Sequence, residues 1–350
     1  MLLPPKARPG DCVAVLSPAF AAPAVSAAIH EQAMRRLAEI TGLVPVEYPT
    51  TRRLGASPEA RAADLNAAFA DPSIRAILAT IGGDDQILVT PHLDLELAQA
   101  DPKPFLGYSD NTNILNWLWR HGIAGFYGGS TQVHLGAGPA VDDVHARSLR
   151  AALLDGGLLE ITEPGESEDF GRRWEHPAAL HEYGDRESTE PWSWAGPAET
   201  VSAPTWGGCI EVLAQLALAD RFPRPEQLDG AILLLETSER LTPAQAVAEQ
   251  LRAYGERGLL ARVAGVVVAR PPVSTREFVP AAPQRAAARA AQRDAVLAAF
   301  ARYNPDAVVC IGVPFGHTRP QWILPYGGVL TLDGAARRVL ADFSSRGHAS

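Results

Sequence analysis

Three polar residues, a serine, a glutamate and a histidine, each follow a short apolar stretch of strand length. Ser109 follows PFLGY, Glu236 follows AILLL, and His317 lies just beyond AVVCI. A serine hydroxyl is a weak nucleophile unless a nearby base takes its proton, and that base needs an orienting group. Serine, histidine and a carboxylate fill these roles in hydrolases of unrelated folds. The sequence therefore predicts a hydrolytic site with the chain order serine, glutamate, histidine.

The stretch around Ser109 also predicts electrostatic support for such a site. It indicates a buried strand, a tight turn at Ser109 and a helix over about 110–120, because its apolar residues recur at helical spacing. The backbone N–H of Asp110 would lie at the helix N-terminus, where developing negative charge is stabilised. The N–H of Gly83 is the expected second donor, since glycine lets the backbone approach a substrate closely.

Each of these residues also has a simpler structural interpretation. Ser109 or Asp110 could only cap the helix, and the Gly-x-Ser-x-Gly pattern of a nucleophile elbow is absent. Glu236 could be a solvated carboxylate or an ion-pair partner, and His317 an ordinary loop residue. Gly82-Gly83 could be only a turn. The catalytic hypothesis therefore depends on whether the residues meet in the fold.

Composition and charge exclude several other classes of protein. The chain has 350 residues, 47 % hydrophobic and 20 % charged, which is ordinary for a globular protein and long enough for two domains. Its net charge of −9 and its lack of a basic cluster predict no nucleic-acid partner. The separated Cys12, Cys209 and Cys310 indicate neither a zinc site nor a disulfide framework. We also expect no signal peptide and no membrane-spanning segment, and hence a cytoplasmic protein without a membrane partner.

Short apolar strands alternate with helices through the first half of the chain. Ser57 followed by Pro58 is a clear helix start, and the strands predicted before Ser109 cover 11–17, 43–48 and 74–81. This alternation is typical of βαβ units and a mostly parallel sheet. Ligands bind such sheets at the carboxyl ends of the strands, where Gly82-Gly83 and Ser109 both lie.

The second half predicts a smaller mixed α/β domain. Thr242 is the expected N-cap of one of its helices, with Pro243 at the first helical position and Gln245 completing a capping box. Its other predicted elements are a helix over 207–219, strands over 231–235 and 263–269, a long helix over 281–303, a strand over 307–311 and a hairpin of 328–332 with 338–343.

Between the halves lies a segment, 159–206, that is rich in Gly, Pro, Glu and Trp and has no lasting periodicity. A loop of this length is usually functional or disordered. Its tryptophans, Trp174, Trp192, Trp194 and Trp206, argue against disorder. We therefore expect a folded segment that covers a cleft or a partner surface.

Six segments, in order, resemble the LD-carboxypeptidase family of serine peptidases, and within it the branch similar to the microcin C immunity carboxypeptidases. They span nearly the whole chain and read PGDCVAVLSPA, TIGGDD, GYSDNTNILNWL, PTWGGCIEVL, LLLETSE and GVPFGHTRPQWILPYG. The resemblance implies an α/β fold with an N-terminal flavodoxin-like or class I amidotransferase-like parallel sheet and a second, smaller β-rich α/β domain. We expect the N-terminal domain over 1–158, the Trp-rich connecting segment over 159–206 and the C-terminal domain over 207–350, with catalysis at their junction in a homodimer.

The resemblance also assigns roles to the three polar residues. By motif, Ser109 of GYSD is the nucleophile, His317 of GHT is the general base and Glu236 of ETSE orients the histidine. Members of the family often have Glu-Asp where this chain has Glu236-Thr237, so Glu239 is an alternative carboxylate. Glu236 is favoured because it directly follows the strand. No metal and no organic cofactor is implied.

The substrate implied depends on the branch of the family. Murein LD-carboxypeptidases remove a terminal D-residue from a tetrapeptide, whereas the immunity branch cleaves the amide that joins an amino acid or peptide to an adenylate analogue. The segment 159–206 resembles the insertion of the immunity branch, whose tryptophan stacks on adenine, with Trp192 as the first candidate and Trp174 as the second. Arg319 could hold a substrate carboxylate or phosphate, or form an ion pair between the domains.

Three functions follow as hypotheses. The first is a serine carboxypeptidase or amidase that acts on aminoacyl or peptidyl adenylate conjugates, in self-immunity or detoxification. The second is a murein tetrapeptide carboxypeptidase in cell-wall recycling. The third is a catalytically silent protein that binds such ligands, which the presence of Ser109, Glu236 and His317 together disfavours.

Overall fold

The computed structural model describes residues 1–345, which form two large sheets with helices packed against them. The α-helices of this part of the chain are α1 (Ala27–Thr41), α2 (Pro58–Ala70), α3 (Leu95–Ala100), α4 (Thr112–Arg120), α5 (Asp143–Arg150), α6 (Ile210–Leu218), α7 (Ala244–Glu256) and α8 (Ala282–Tyr303). None of the helices within residues 1–345 combines the length and apolar character needed to cross a bilayer.

The strands are mostly short. They are β1 (Cys12–Leu16), β2 (Val44–Glu47), β3 (Ile74–Ala79), β4 (Phe105–Gly107), β5 (Gly125–Tyr127), β6 (Leu158–Ile161), β7 (Glu166–Ser167), β8 (Glu187–Ser188), β9 (Ser193–Ala195), β10 (Thr200–Cys209), β11 (Ile232–Glu236), β12 (Gly265–Ala269), β13 (Val308–Val313), β14 (Leu324–Tyr326), β15 (Val329–Asp333) and β16 (Arg338–Asp342). β7 and β8 pair with each other in a separate two-stranded sheet, and the other strands form the two large sheets.

The first sheet has the order β2-β1-β3-β4-β5-β14. Its first five strands are parallel, which confirms the predicted parallel layer, and the apolar side chains of the inner strands β1, β3, β4 and β5 are buried. β14, from the far end of the chain, pairs antiparallel with β5 at the edge, with Leu324 opposite Tyr127. The carboxyl ends of β3 and β4 lead directly into Gly82-Gly83 and Ser109, so both loops lie at the same edge of the sheet.

The second sheet has the order β6-β16-β15-β10-β11-β12-β13-β9 and is mixed. Residues 200–204 of β10 pair antiparallel with β15, and residues 205–209 of the same strand pair parallel with β11. β11, β12 and β13 continue the parallel part, and β15 with β16 forms the predicted hairpin. The second part of the chain is therefore a β-rich α/β layer, as predicted.

The helix predicted over 207–219 was wrong at its start. Gly207 and Gly208 belong to β10, and α6 begins only at Ile210. The reason is close backbone contact, because a Cβ on Gly207 would lie 1.9 Å from the carbonyl oxygen of Leu234, and the φ of Gly207 is +144°. At α7 the N-cap is Pro243 instead of Thr242, whose hydroxyl contacts Glu211.

The segment 159–206 contains more regular structure than its sequence pattern indicates. It supplies most of β6, all of β7, β8 and β9, and the first part of β10. Trp206 lies in β10 and is buried in the core, whereas the middle of the segment lies over the carboxyl ends of the strands. The segment is therefore a folded structure, and only part of it lies over the cleft.

Candidate active site

Ser109 lies at a strained turn between β4 and α4. Its φ is +62°, in the left-handed region that non-glycine residues rarely adopt, and a short 3-10 turn over Ser109–Asn111 leads into the helix. Such a conformation costs about 1–3 kcal/mol and persists only where the surroundings enforce it. Two contacts do so here: the Ser109 N–H donates to the Tyr127 hydroxyl at 3.2 Å, and the Thr112 hydroxyl donates to the Ser109 carbonyl at 2.7 Å.

The glycine pair of the neighbouring loop lies directly against the serine. A Cβ on Gly82 would lie 2.8 Å from Ser109 Cβ, 3.0 Å from its Oγ and 3.2 Å from the Asp110 nitrogen. A Cβ on Gly83 would collide with Ala19 and with the Phe20 nitrogen. Gly82 therefore leaves no room for a side chain beside the serine, and Gly83 leaves none beside Ala19 and Phe20.

The side chain of Asp110 holds the serine turn in place. Its carboxylate is buried and accepts hydrogen bonds from the Gln86 N–H and from Asn113 Nδ2, both at 2.9 Å. Burial raises the pKa of Asp110 to about 6. The carboxylate is thus turned into the protein, and only the backbone N–H of Asp110 is left as a candidate for contact with substrate.

Glu236 and His317 form a close pair although 81 residues separate them. Glu236 Oε2 lies 2.5 Å from His317 Nδ1, and the Glu236 carboxylate has no exposed surface. Glu236 ends β11, while His317 lies in the loop after β13, two strands away in the same sheet. The packing of this loop is tight, since a Cβ on Gly316 would lie 2.8 Å from Glu236 Oε2.

Tyr127 joins the two sides of the site. Its hydroxyl donates to Glu236 Oε1 at 2.6 Å and accepts the hydrogen bond from the Ser109 N–H. The ring is fully buried at the end of β5. One phenol therefore contacts both the backbone of the serine turn and the carboxylate that holds His317.

The second nitrogen of His317 is also close to a carboxylate. Glu239 Oε2 lies 3.1 Å from His317 Nε2, and the Glu239 side chain is 68 % exposed. Burial alone would lower the pKa of His317, but the charges of Glu236 and Glu239 and their hydrogen bonds outweigh it and raise the pKa to about 10. The two carboxylates flagged in the sequence thus contact opposite nitrogens of one imidazole.

Ser109 and His317 line a single cavity of about 680 Å³ between the ends of the two sheets. Further residues of its wall are Gly82, Gly83, Trp174 and Glu239. This volume lies in the range of small-molecule sites. In the part of the chain that the structure describes, no group of three or more His, Cys, Asp or Glu side chains is arranged to hold a metal ion.

Residues 168–174, here named the covering segment, form one wall of this cavity. Asp169 anchors the segment: its Oδ1 accepts from Arg270 Nη1 and from Arg289 Nη2, each at 3.0 Å, and its Oδ2 accepts from the Val273 N–H at 2.9 Å. Asp169 and both arginines are buried. Because buried ion pairs with several hydrogen bonds fix a geometry, the covering segment is held firmly against the second sheet.

The two tryptophan candidates have different locations. Trp174 lies in the covering segment and lines the cavity, and its carbonyl accepts a hydrogen bond from Ser26 Oγ at 3.0 Å. Trp192, the first candidate, lies outside the cavity wall and packs near Gly312 of β13, where a Cβ would meet its Cδ1 at 3.3 Å. The sequence analysis ranked Trp192 first and Trp174 second as the residue that stacks on adenine. In the structure, Trp174 is the one that lines the cavity.

Arg319 lies at the cavity wall but its guanidinium is already engaged. Nε donates to Asp142 Oδ2 at 2.6 Å, Nη1 to the Ala137 carbonyl at 2.9 Å and Nη2 to the Ala140 carbonyl at 3.0 Å. The sequence analysis offered two roles for Arg319, binding of a substrate anion or an ion pair between the domains. The structure contains an ion pair of this kind, because Asp142 belongs to the first part of the chain. The same arginine thus packs the loop after β13 against the first sheet.

Two residues of the site escaped the sequence analysis. Tyr127 ends a three-residue strand that no pattern distinguishes. His134 lies on a π-helical turn, Thr131–Gly136, and its buried imidazole lines the cavity, where burial holds its pKa well below the usual value. π-helical turns are frequent at functional sites, but a single turn leaves no sequence signal.

With this geometry established, comparison with known proteins defines the class. The LD-carboxypeptidase N-terminal domain matches residues 13–128, and the LD-carboxypeptidase C-terminal domain matches residues 202–332. These two matched regions cover more than half of the chain and describe a peptidase of the carboxypeptidase type. The chain belongs to the LD-carboxypeptidase family, peptidase family S66.

Individual relatives include both branches of the family. The chain is 26 % identical over 275 residues to a putative carboxypeptidase of Vibrio cholerae, covering 78 % of this chain and 76 % of the relative. It is 28 % identical over 183 residues to the microcin C7 self-immunity protein MccF of Escherichia coli, about half of each chain (51 % and 52 %). It is 32 % identical over 124 residues to a murein tetrapeptide carboxypeptidase of Pseudomonas aeruginosa, covering 33 % of this chain and 38 % of that one.

Solved structures establish the fold over nearly the whole chain. MccF in complex with aspartyl sulfamoyl adenosine matches with a TM-score of 0.82 at 21 % identity, over 98 % of each chain. An MccF-like protein from Streptococcus pneumoniae in complex with AMP matches with a TM-score of 0.80 at 23 % identity, over 95 % of this chain and 99 % of that one. The protein therefore has the MccF fold, with its parallel N-terminal sheet and β-rich second part.

Proposed function

We propose that the protein is a serine carboxypeptidase or amidase that cleaves the amide bond of aminoacyl or peptidyl adenylate analogues. One observation carries the proposal. The buried Glu236–His317 pair faces the same cavity as Ser109, whose backbone is held in a strained left-handed turn. A binding protein has no need of this combination, whereas a serine hydrolase needs each part of it.

In the proposed reaction, Ser109 Oγ attacks the carbonyl carbon of the scissile amide while His317 Nε2 takes its proton. Glu236 keeps the imidazole oriented through Nδ1 and stabilises the imidazolium that forms. The N–H groups of Asp110 and Gly83 are the proposed donors to the oxyanion. The imidazolium then protonates the leaving nitrogen, and water hydrolyses the acyl-serine by the same steps in reverse.

The shape and lining of the cavity support an adenylate-type leaving group. Its aromatic wall residues Phe170 and Trp174 lie on the covering segment, and Arg172 and Arg276 lie close to them. An aromatic side chain at this place can stack on a base for about 1–3 kcal/mol. Two structural relatives were solved with aspartyl sulfamoyl adenosine and with AMP. We therefore propose Trp174, in place of Trp192, as the residue that stacks on adenine.

The remaining expectations are part of the same proposal. We place the domain boundaries after residues 158 and 206, with the last five residues of the C-terminal domain outside the described part of the chain. We also propose a cytoplasmic homodimer that acts without metal or organic cofactor, on a small peptide or aminoacyl-nucleotide substrate.

Mass-spectrometric cleavage assays with two substrates test the proposal. Wild type and Ser109→Ala would each meet an aminoacyl-sulfamoyl adenosine and an LD-linked murein tetrapeptide. We expect serine-dependent release from the adenosine conjugate. Release from the tetrapeptide alone would assign the protein to cell-wall recycling, and serine-independent binding without cleavage of either would favour a silent ligand-binding protein.

Kinetics of Trp174→Ala test the stacking role. We expect KM for the adenosine conjugate to rise about tenfold, as the loss of one base–aromatic stack implies, with kcat little changed. Trp192→Ala is the matched control, because it removes the same ring and Trp192 lies outside the cavity wall. Equal effects of the two substitutions would contradict the assignment of Trp174.

A further inference from the structure

Both ring nitrogens of His317 are held by carboxylates. Glu236 Oε2 lies 2.5 Å from Nδ1, and Glu239 Oε2 lies 3.1 Å from Nε2. The first contact belongs to the proposed mechanism, since it orients the ring. The second occupies the nitrogen that has to take the proton of Ser109. A carboxylate at hydrogen-bond distance from Nε2 keeps a proton on that nitrogen, so in this arrangement His317 is held in a form that cannot act as a base.

The backbone around Glu239 is fixed at both ends. The Ser238 N–H and hydroxyl donate to Glu211 Oε1 at 3.1 and 2.9 Å, and the Thr242 hydroxyl also contacts Glu211. Arg240 forms an ion pair with Asp84 on the loop that follows the glycine pair. The contact between Glu239 and His317 can therefore be broken by rotation of the glutamate side chain, which is mostly exposed, without opening the loop.

A carboxylate that leaves an imidazolium gains more from a second cation than from water, and the cation on its own loop, Arg240, is already paired with Asp84. In an aminoacyl conjugate, the α-ammonium is attached to the carbon next to the scissile carbonyl. Ser109 and His317 line the same cavity, so a carbonyl that reaches Ser109 brings the ammonium into the cavity that His317 lines. Glu239, which lines the cavity beside His317, is then well placed to receive it.

We propose that Glu239 is a specificity-determining residue: it exchanges His317 Nε2 for the α-ammonium of an aminoacyl substrate, and this exchange frees the histidine to act on Ser109. The inference rests on the proposed function and adds a preference for substrates with a free α-amino group. The only bond that breaks in the exchange is the Nε2–H bond of the imidazolium, and the proton is taken up by solvent. Glu239 stays ionised, and the neutral imidazole turns its lone pair toward the serine.

Two enzymes and two substrates test this exchange. An aminoacyl-sulfamoyl adenosine and its α-desamino analogue would be assayed with wild type and with Glu239→Gln. We expect wild type to prefer the amino substrate by about tenfold or more in kcat/KM, as a hydrogen bond between charged groups implies. In Glu239→Gln the preference should shrink to about threefold or less, chiefly because the desamino analogue is cleaved faster. An unchanged preference would overturn the proposal.

The matched control is Glu256→Gln, since the Glu256 side chain is 66 % exposed, lies at the end of α7 and contacts Tyr303. It should leave the preference unchanged. If Glu239 were instead the carboxylate that orients the catalytic histidine, Glu239→Gln would lose activity on both substrates, and the proposal would be wrong.

Titration of His317 by NMR separates this inference from the proposed function. In ligand-free protein, the midpoint of the His317 imidazole should fall in Glu239→Gln relative to wild type and to Glu256→Gln. If the midpoint falls in Glu239→Gln but wild type cleaves no conjugate, the proposed function is contradicted and the Glu239 contact is supported. Cleavage by wild type with no change in the midpoint would remove the Glu239 exchange and leave the function intact.

Discussion

The two sides of the cavity hold their reactive groups by different means. On the side of the first sheet, backbone geometry positions the reactive group: Ser109 has φ +62°, and Gly82 leaves no room for a Cβ beside it. On the side of the second sheet, a side chain positions the group, because Glu236 of β11 contacts His317 Nδ1 at 2.5 Å and itself accepts a hydrogen bond from Tyr127 of the first sheet. The proposed nucleophile is thus positioned mainly by steric constraint and the proposed base by charge. Steric constraint should be sensitive to added atoms, and charge should be sensitive to pH.

The largest expected effect is the loss of kcat when Ser109 itself is substituted. Ser109→Ala and Ser109→Gly should each lower kcat by about 10³-fold or more, because both remove the hydroxyl. Only the glycine variant relieves the left-handed strain, so its free energy of unfolding should exceed that of the alanine variant by about 1 kcal/mol. Turnover assays and urea denaturation measure the two effects. Equal stabilities would show that the turn is not strained.

A substitution in the loop that faces Ser109 tests the steric argument while Ser109 itself is kept. Gly82→Ala places a methyl group 2.8 Å from Ser109 Cβ and 3.2 Å from the Asp110 nitrogen, and the φ of Gly82 is outside the left-handed region, so the contact alone is tested. We expect kcat to fall about 10²-fold, the scale on which a lost oxyanion donor acts. Thermal unfolding should show a stability loss of about 1–3 kcal/mol from overpacking, while the titration of His317 stays near wild type. A variant with wild-type kcat would contradict the close approach.

On the side of the base, Tyr127→Phe removes the hydroxyl that links Glu236 to the serine turn. A buried carboxylate that loses one hydrogen bond is destabilised by about 1.5–3 kcal/mol, so we expect kcat to fall about tenfold or more. Tyr326→Phe is the matched control, because Tyr326 is equally buried and its hydroxyl donates to the Gly207 carbonyl at 3.0 Å. That variant should lose stability but keep its kcat, and steady-state kinetics of both variants decide the point.

The smallest expected effect is on stability as a function of pH. The pKa of His317 is raised from 6.5 to about 10 in the folded protein by the carboxylates of Glu236 and Glu239, against the opposing effect of burial. A raised folded pKa stabilises the protein fully below pH 6.5, and this contribution is lost as the pH rises toward 10. We expect the free energy of unfolding from urea titrations to fall over this window, and to fall less in His317→Gln. Identical slopes would contradict the charge-based positioning.

Local signals in the sequence predicted the elements that position the site. Ser57 caps α2 through its Oγ, which accepts from the Ala60 N–H at 3.3 Å, and Pro58 begins that helix, both as predicted. The apolar runs before Gly82-Gly83 and Ser109 became β3 and β4. These features depend on neighbouring residues only, so the sequence pattern contains them.

Features that depend on distant contacts were not predictable in this way. The pattern at Gly207-Gly208 suggests a helix start, but the close carbonyl of Leu234 on β11 makes it a strand. Tyr127 gains its partners from Ser109 and Glu236, and nothing near it in sequence announces either contact. The choice between two tryptophans likewise follows from how a long segment folds over the cavity.

The pairing of β14 with β5 has a consequence for biosynthesis. Leu324–Tyr326 closes the edge of the first sheet next to Gly125–Tyr127, so the strand that carries the linking phenol is paired on both sides only when the far end of the chain arrives. A ribosome adds about 5–20 residues per second, so the N-terminal half waits roughly 10–40 s with that edge open. His317 lies in the same late part of the sequence, so we expect chains that stop before it to lack the proposed hydrolytic activity.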